Sequence, residues 1–220
     1  MHIYMNILLS LFSILFPEKC LGCGAAGGLV CSECLRGMPR AVEVYPDTIS
    51  VFEYRHKVMK DLMWKMKYSH ARSVAALLAP QLYETLVSEL SERSLEGFVD
   101  PIFVGIPISK TRKRGRGYNQ SEVLAQTLAN FDKANVFPFV KDALVKTRDT
   151  TPQARIKNRS FRLSNLKNAF VVNEKYKHKV RGRNIVVVDD ISTTGATIEE
   201  ARRALRKAGA RRILGFTIAH

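Results

Sequence analysis

From residue 101 onward, short apolar runs alternate with helical periodicity, and this alternation leaves few folds open to the chain. The segments 102–106 (IFVGI), 169–172 (AFVV), 184–188 (NIVVV) and 213–219 (ILGFTIA) read as strands. Between them, 121–131 and 198–208 repeat apolar residues at helical spacing. Strands separated by helices bury both faces of a sheet, so the pattern predicts an α/β protein whose mostly parallel sheet is flanked by helices. Upstream, Val58, Leu62, Met63 and Met66, then Val74, Leu77, Leu78, Leu82 and Leu86 after a break near Ser69, predict two helices within 55–96. Pro80 should kink or divide the second of them.

One string asks for a chemical explanation. In VVVDDISTTGAT, residues 186–197, β-branched residues run directly into two adjacent carboxylates. Ligands of open parallel sheets bind beyond the carboxyl ends of the strands, which is where this string would stand. Asp189 and Asp190 buried together would repel each other and lose solvation unless cations or hydroxyl donors satisfied them. The stretch Thr193, Thr194, Gly195, Ala196 and Thr197 supplies hydroxyls and backbone N–H groups at a helix start, a setting that suits an anion. Gly195 permits a close approach or a positive φ. Thr197 and Glu200 fit a capping box, and Gly209 fits the position just past the helix. A lone Asp-Asp would be explained by turn and capping chemistry in a strand-to-helix loop. The whole string describes a ribose 5-phosphate pocket, with Mg²⁺ accompanying any pyrophosphate. No Walker A string and no Gly-x-Gly-x-x-Gly after a strand offers a competing nucleotide loop.

All four cysteines, Cys20, Cys23, Cys31 and Cys34, fall in one window with the spacing Cys-x₂-Cys-x₇-Cys-x₂-Cys. Two thiolate pairs at this spacing suit a tetrahedral, structural Zn²⁺ with no open position for catalysis. A redox pair or two disulfides is the alternative, which a reducing compartment disfavours. The run 5–16 (MNILLSLFSILF) lacks the basic flank and cleavage site of a signal peptide and is shorter than the about 20 residues a spanning helix needs. It reads as a short helix docking on the protein, with membrane-surface attachment as the lesser alternative and a cytoplasmic location as the default. The division expected is 1–44 for leader and cysteine module, and 45–220 for the α/β domain.

The chain carries 35 Lys and Arg against 20 Asp and Glu, a formal charge of +15 that attracts polyanions such as nucleic acid, phosphorylated metabolites or anionic lipid. Lys110, Arg112, Lys113, Arg114 and Arg116 concentrate it beside Tyr118, Asn119 and Gln120. A solvated basic loop, a pyrophosphate site and a nucleic-acid contact are all open readings of this cluster.

The string at 186–197 resembles the PRPP-binding motif of type I phosphoribosyltransferases. Further segments resemble the ComF family in order: FPEKCLGCG with CSEC, IPISKTRKRGRGYNQ, KTRDTTPQARIKNR, and NLKNAF. Tyr118 departs from the family, which more usually has Phe there. The resemblance implies a type I phosphoribosyltransferase-like core behind an N-terminal Cys₄ zinc ribbon, in a protein tied to natural competence and DNA uptake. It implies that Asp189 and Asp190 hold the ribose hydroxyls of PRPP and that 193–197 wrap the 5-phosphate. The loop 107–112, with Ser109 and Lys110, would face the pyrophosphate, and 148–159, bounded by Arg148 and Arg159, would be the loop that closes over the leaving group. The activity implied is transfer of a phosphoribosyl group to an unspecified acceptor, with Zn²⁺ structural and Mg²⁺ accompanying PRPP. The alternative is a weakly catalytic or non-catalytic protein that binds single-stranded DNA. Candidate partners are PRPP or another ribose 5-phosphate ligand, single-stranded DNA, and other competence proteins such as a helicase.

Overall fold

The computed structural model describes residues 18–42, 45–134, 136–148 and 166–220. The apolar run at 5–16, and the 148–159 segment beyond Arg148, lie outside them. In chain order the elements are α1 (Ser32–Arg36), β1 (Thr48–Phe52), α2 (Lys57–Tyr68), α3 (Ala71–Ser94), β2 (Ile102–Gly105), α4 (Lys110–Arg116), α5 (Gln120–Phe131), β3 (Leu144–Lys146), β4 (Phe170–Val172), α6 (Lys177–Val180), β5 (Ile185–Ile191), α7 (Ala196–Lys207) and β6 (Ile213–Ala219). Four strands form one sheet in the order β1-β6-β5-β2, and every pairing in it is parallel. β5 is buried from both sides because its alternate residues enter different cores. Val186 and Val188 pack with Phe103, Phe216 and the residues of α2, α3 and α5, whereas Ile185 and Val187 pack with Ile198, Ala201 and Leu205 of α7.

Two expectations are revised here, and one strand is added. Pro80 does not divide its helix: α3 runs unbroken for 24 residues with Pro80 inside it. Pro80 and Ala76, the residue whose carbonyl loses its helical donor, both lie on the exposed side, where water can take that bond. The AFVV segment is a strand but does not join the parallel sheet. β4 pairs antiparallel with β3 in a separate two-stranded ribbon. The parallel sheet also gains β1, which the sequence does not announce, since TISVF is short and interrupts its apolar residues with Thr48 and Ser50.

The cysteine module adds its apolar residues to the larger core. Cys20, Leu29, Val30 and Met38 are buried in the same cluster as Val58 and Met59 of α2. A module of this size cannot bury enough apolar surface alone, so packing on α2 supplies what it lacks. No helix among the described residues is long and apolar enough to cross a membrane.

Candidate functional site

The two carboxylates stand inside β5 rather than after it, because the strand continues through Asp189, Asp190 and Ile191 in register with Thr217 and Ala219 of β6. Asp189 is buried, with 7% of its surface exposed. Its Oδ1 accepts from the Ser121 hydroxyl at 2.7 Å and from the Asp190 N–H at 2.9 Å. No ion pair reaches either carboxylate among the described residues. Burial first, and the Asp190 charge second, push the Asp189 carboxyl up to about 8. A divalent cation or sugar hydroxyls in front of the pair would relieve this, so the donor set fits a Mg²⁺-bearing ligand of the kind the sequence anticipates.

Ser121 reaches Asp189 because α5 lies unusually close to β2. A Cβ on Gly105 would come within 3.0 Å of the Glu122 nitrogen and 3.1 Å of its Cα. Asn119 sets the start of α5, its Oδ1 accepting from the Ser121 N–H at 3.2 Å and its Nδ2 donating to the Ile106 carbonyl at 2.9 Å. The Tyr118 hydroxyl donates to the Met66 carbonyl at 3.0 Å, a bond the Phe more usual in the family would not make. Replacing Gly105 by Ala is therefore expected to destabilise the fold by about 1–3 kcal/mol, the range for overpacking against rigid neighbours. Chemical denaturation measures it, and an unchanged midpoint would contradict the close approach.

Beyond the carboxylates, Gly195 takes φ 71° and starts α7 with no side chain capping it. The expected Thr197–Glu200 capping box does not form. The helix begins two residues earlier, and Glu200 instead grips Arg203 through two bonds of 2.8 Å. An uncapped start leaves the first-turn N–H groups to a ligand and sets the positive end of the helix dipole before them. The Ser192 hydroxyl is buried without a hydrogen-bond partner in the same loop. Tyr45 covers the loop from outside, its ring 3.4 Å from the position of a Gly195 Cβ and its hydroxyl donating to the Thr193 carbonyl at 3.0 Å. Gly209 ends α7 at φ 90°, as its sequence position suggests.

These groups line one cleft of about 600 Å³, together with Pro107, Ile108, Arg112, Arg116, Lys146 and Tyr68. Asp189, Asp190, Thr193, Thr194, Gly195, Ala196 and Thr197 all face it. Ser109 and Lys110 do not. Ser109 is buried as the cap of α4, accepting from the Arg112 N–H at 3.3 Å, and Lys110 is exposed. The basic cluster is thus a short helix whose Arg112 and Arg116 turn to the cleft, while Lys113 approaches Glu122 at 3.7 Å and Asp142 at 3.9 Å. Arg148 sits at the base of the β3–β4 ribbon, donates to the Lys167 carbonyl at 3.0 Å and is not among the cleft-lining residues. Arg159 lies outside the described residues. Sequence reasoning missed Ser121 and Tyr45; neither carries a local signal, since their partners lie 68 and 148 positions away.

The four cysteine sulfurs lie within 4.8 Å of one another, and all four are free thiols. Cys23 and Cys31 are 3.8 Å apart, close to the edge of about 3.8 Å that a tetrahedron with 2.3 Å metal–sulfur bonds would have. Backbone N–H groups of Gly22 and Cys31 point at the Cys20 sulfur at 3.4 and 3.3 Å. Bonds from the Cys31 backbone above all hold the Cys20 thiol down to about 6, whereas its sulfur neighbours, Cys31 first, push the Cys34 thiol up to about 12. Four thiolates this close repel one another until a metal ion neutralises them. Gly22 has no room for a side chain, since a Cβ would lie 2.6 Å from the Cys34 sulfur. The cluster therefore fits a metal.

Fold and cleft together define an α/β protein of the class that holds its ligand at the carboxyl edge of a parallel sheet. The family model of the phosphoribosyl transferase domain matches residues 76–219, and the chain belongs to that family. DNA utilization protein YhgH of Escherichia coli strain K12 is 31% identical over 183 residues, 83% of this chain and 74% of that protein. Competence protein F of Haemophilus influenzae is 28% identical over 184 residues, 83% of this chain and 75% of that protein. These relatives bear out the ComF resemblance. A hypoxanthine phosphoribosyltransferase of Trypanosoma cruzi superposes with a TM-score of 0.40 at 9% identity, over 66% of this chain and 63% of that one.

Proposed function

We propose that the cleft binds PRPP with Mg²⁺ and transfers its phosphoribosyl group to an acceptor, with release of pyrophosphate. The observation that carries this is the buried Asp189–Asp190 pair beside the uncapped, glycine-started helix α7. In this reading the carboxylates accept from the ribose hydroxyls, and residues 193–197 with the buried Ser192 hydroxyl hold the 5-phosphate. Arg112 and Arg116 face the pyrophosphate, and Arg148 and Arg159 belong to the segment that closes over it. As the bond from C1 of the ribose to pyrophosphate breaks, negative charge grows on the leaving group and the sugar becomes oxocarbenium-like. The two guanidinium groups stabilise that charge where it develops. Mg²⁺, when bound with the pyrophosphate, supplies further neutralisation. The metal of the cysteine cluster is Zn²⁺ with a structural role, the protein works in the cytoplasm, and its part in natural competence is suggested by the name of one relative, Competence protein F. Calorimetric titration with PRPP is expected to show saturable binding in Mg²⁺ and binding at least about tenfold weaker without it. Absence of binding in both buffers would sink the reading.

A second reading, binding of single-stranded DNA, is favoured by one surface. Trp64 and Tyr68, one turn apart on α2, are 62% and 60% exposed with ring centroids 5.2 Å apart. The Arg116 guanidinium lies 5.7 Å from the Tyr68 ring centre, and Tyr68 itself lines the cleft mouth. Exposed rings beside cations form a stacking platform for bases. Trp64 is the one tryptophan of the chain, so its fluorescence should be quenched by a single-stranded oligonucleotide. Replacing Tyr68 by Ala should weaken that binding about tenfold, the scale of one lost base stack. Neutralising Lys113, Arg114 and Arg116 should weaken it across sequences and flatten its salt dependence. Unquenched fluorescence at saturating oligonucleotide rules this platform out.

A further inference from the structure

A second cleft, of about 290 Å³, opens beside Ile213 and Leu214, the first residues of β6. The phosphate loop lies at the other end of that strand, where the Ser192 N–H donates to the Ala219 carbonyl at 2.9 Å. Seven residues of strand separate the two, about 20 Å at 3.3 Å per residue. Four arginines from three parts of the chain line the second cleft, against two acidic residues, Asp47 and Glu96. Arg93 comes from the last turn of α3, Arg206 from the last turn of α7, and Arg211 and Arg212 from the turn into β6.

Arginine at a helix C-terminus commonly offsets the helix dipole, which accounts for Arg93 and Arg206. It does not account for Arg211 and Arg212, or for how loosely the group is neutralised. Arg93 stands 3.4 Å from Asp47 and 3.7 Å from Glu89, and Arg206 stands 3.8 Å from Glu199. All three distances exceed the about 2.8 Å of a charge-assisted hydrogen bond. Arg212 donates to the main-chain carbonyl of Glu96 at 2.6 Å, which satisfies a donor but no charge. The Arg93 Nε, the atom that faces Glu89 at 3.7 Å, is buried and makes no hydrogen bond among the described residues. The Arg211 guanidinium lies over Gly97, 3.8 Å from the position of a Cβ there.

We propose that this arginine cleft is a second anion site, one that takes a small phosphate-bearing molecule. Guanidinium forks match phosphate oxygens in pairs, and a multiply charged anion between them would satisfy Arg93 and neutralise the excess. The cleft is a compact concavity rather than a long groove, which favours a small anion over a polymer. It shares no lining residue with the first cleft, so it stands whether or not PRPP binds there.

Inorganic pyrophosphate is the probe, added to the intact chain in Mg²⁺-free buffer and followed by hydrogen exchange. Protection is expected over 93–98 and 211–214. Arg206→Ala with Arg211→Ala, both exposed positions whose loss leaves the core intact, should weaken pyrophosphate protection there at least about tenfold and leave Mg²⁺-dependent PRPP binding unchanged. Protection confined to 192–198 would overturn the proposal. So would equal protection by sulfate at matched ionic strength, or protection by a single-stranded oligonucleotide but not by pyrophosphate. Protection over 211–214 in a protein that fails to bind PRPP would uphold this site and overturn only the reading of the first cleft.

Discussion

Replacing Asp189 and Asp190 together by Asn is expected to weaken Mg²⁺-dependent PRPP binding at least about 100-fold and to make the free protein harder to unfold. The first effect follows because amides neither draw Mg²⁺ as strongly nor act purely as acceptors. Two lost charge-assisted contacts amount to roughly 3 kcal/mol. The second follows from the proton on Asp189. Its carboxyl ionises near 8 in the folded chain against 3.8 for the ordinary group, so between those values the native state holds a proton that the unfolded chain has released. Stability therefore falls as pH rises through that window, and affinity for a Mg²⁺-bearing ligand, which needs the carboxylate, rises. An amide in place of the Asp189 carboxyl keeps an oxygen for the Ser121 hydroxyl and the N–H of the next residue, without a charge to bury. Thermal denaturation from about pH 5 to about pH 9 should show a gain of roughly 3 kcal/mol at the alkaline end, the scale of an uncompensated buried charge. A variant with the wild-type slope would show that Asp189 is ionised throughout. In cells, normal transformation by the double variant at matched protein level would favour the DNA-binding reading over the enzyme.

Removing the metal should have the largest effect on stability. One Zn²⁺ per chain is expected in freshly reduced protein, and its binding to such a module contributes about 10 kcal/mol or more to folding. Chelation, or Cys31→Ser, should unfold residues 18–42. Because Leu29, Val30 and Met38 share a core with Val58 and Met59, the loss should also lower the melting temperature of the α/β domain. Metal analysis and hydrogen exchange over α2 report the two parts separately. Protein that holds no zinc and shows the mass shift of a disulfide would overturn this.

The features that sequence reasoning locates are those with a local cause. NIVVV and ILGFTIA are apolar at nearly every position because both faces of β5 and β6 are covered, and α7 carries its apolar stripe in plain view. The four cysteines announce their cluster by spacing alone. Where local chemistry misleads, a distant partner has intervened. Two carboxylates look like the end of a strand, yet β6 holds them in register, and the Ser121 hydroxyl, from a helix far away in sequence, joins the Asp190 N–H in making Asp189 tolerable there. KTRKRGR is a case of a local signal overlooked, because Ser109 before it and Gly117 after it, at φ 79°, are an ordinary helix start and stop. That AFVV would pair with 144–146 rather than join the parallel sheet depends on which edges are open in three dimensions. No periodicity reports that.

The sheet order also dictates when the molecule can be finished. Among the described residues β1 has its only neighbour of the parallel sheet in β6, and the hydroxyls of Ser50 and Thr217 that meet across them are 167 positions apart. Helices α2 and α3 form from local contacts and β1 is bridged locally by residues 39–41, but its parallel partner arrives only when β6 has been synthesised. Tyr45, which covers the loop at Thr193 and Gly195, sits at the same late junction. Closing so long a loop is slow, and a strand whose parallel-sheet edge stays open is prone to pair with another chain. Nascent chains should therefore depend on a holding chaperone more heavily than the modest size of the protein suggests, and refolding from denaturant should show its slowest phase in the β1–β6 ladder.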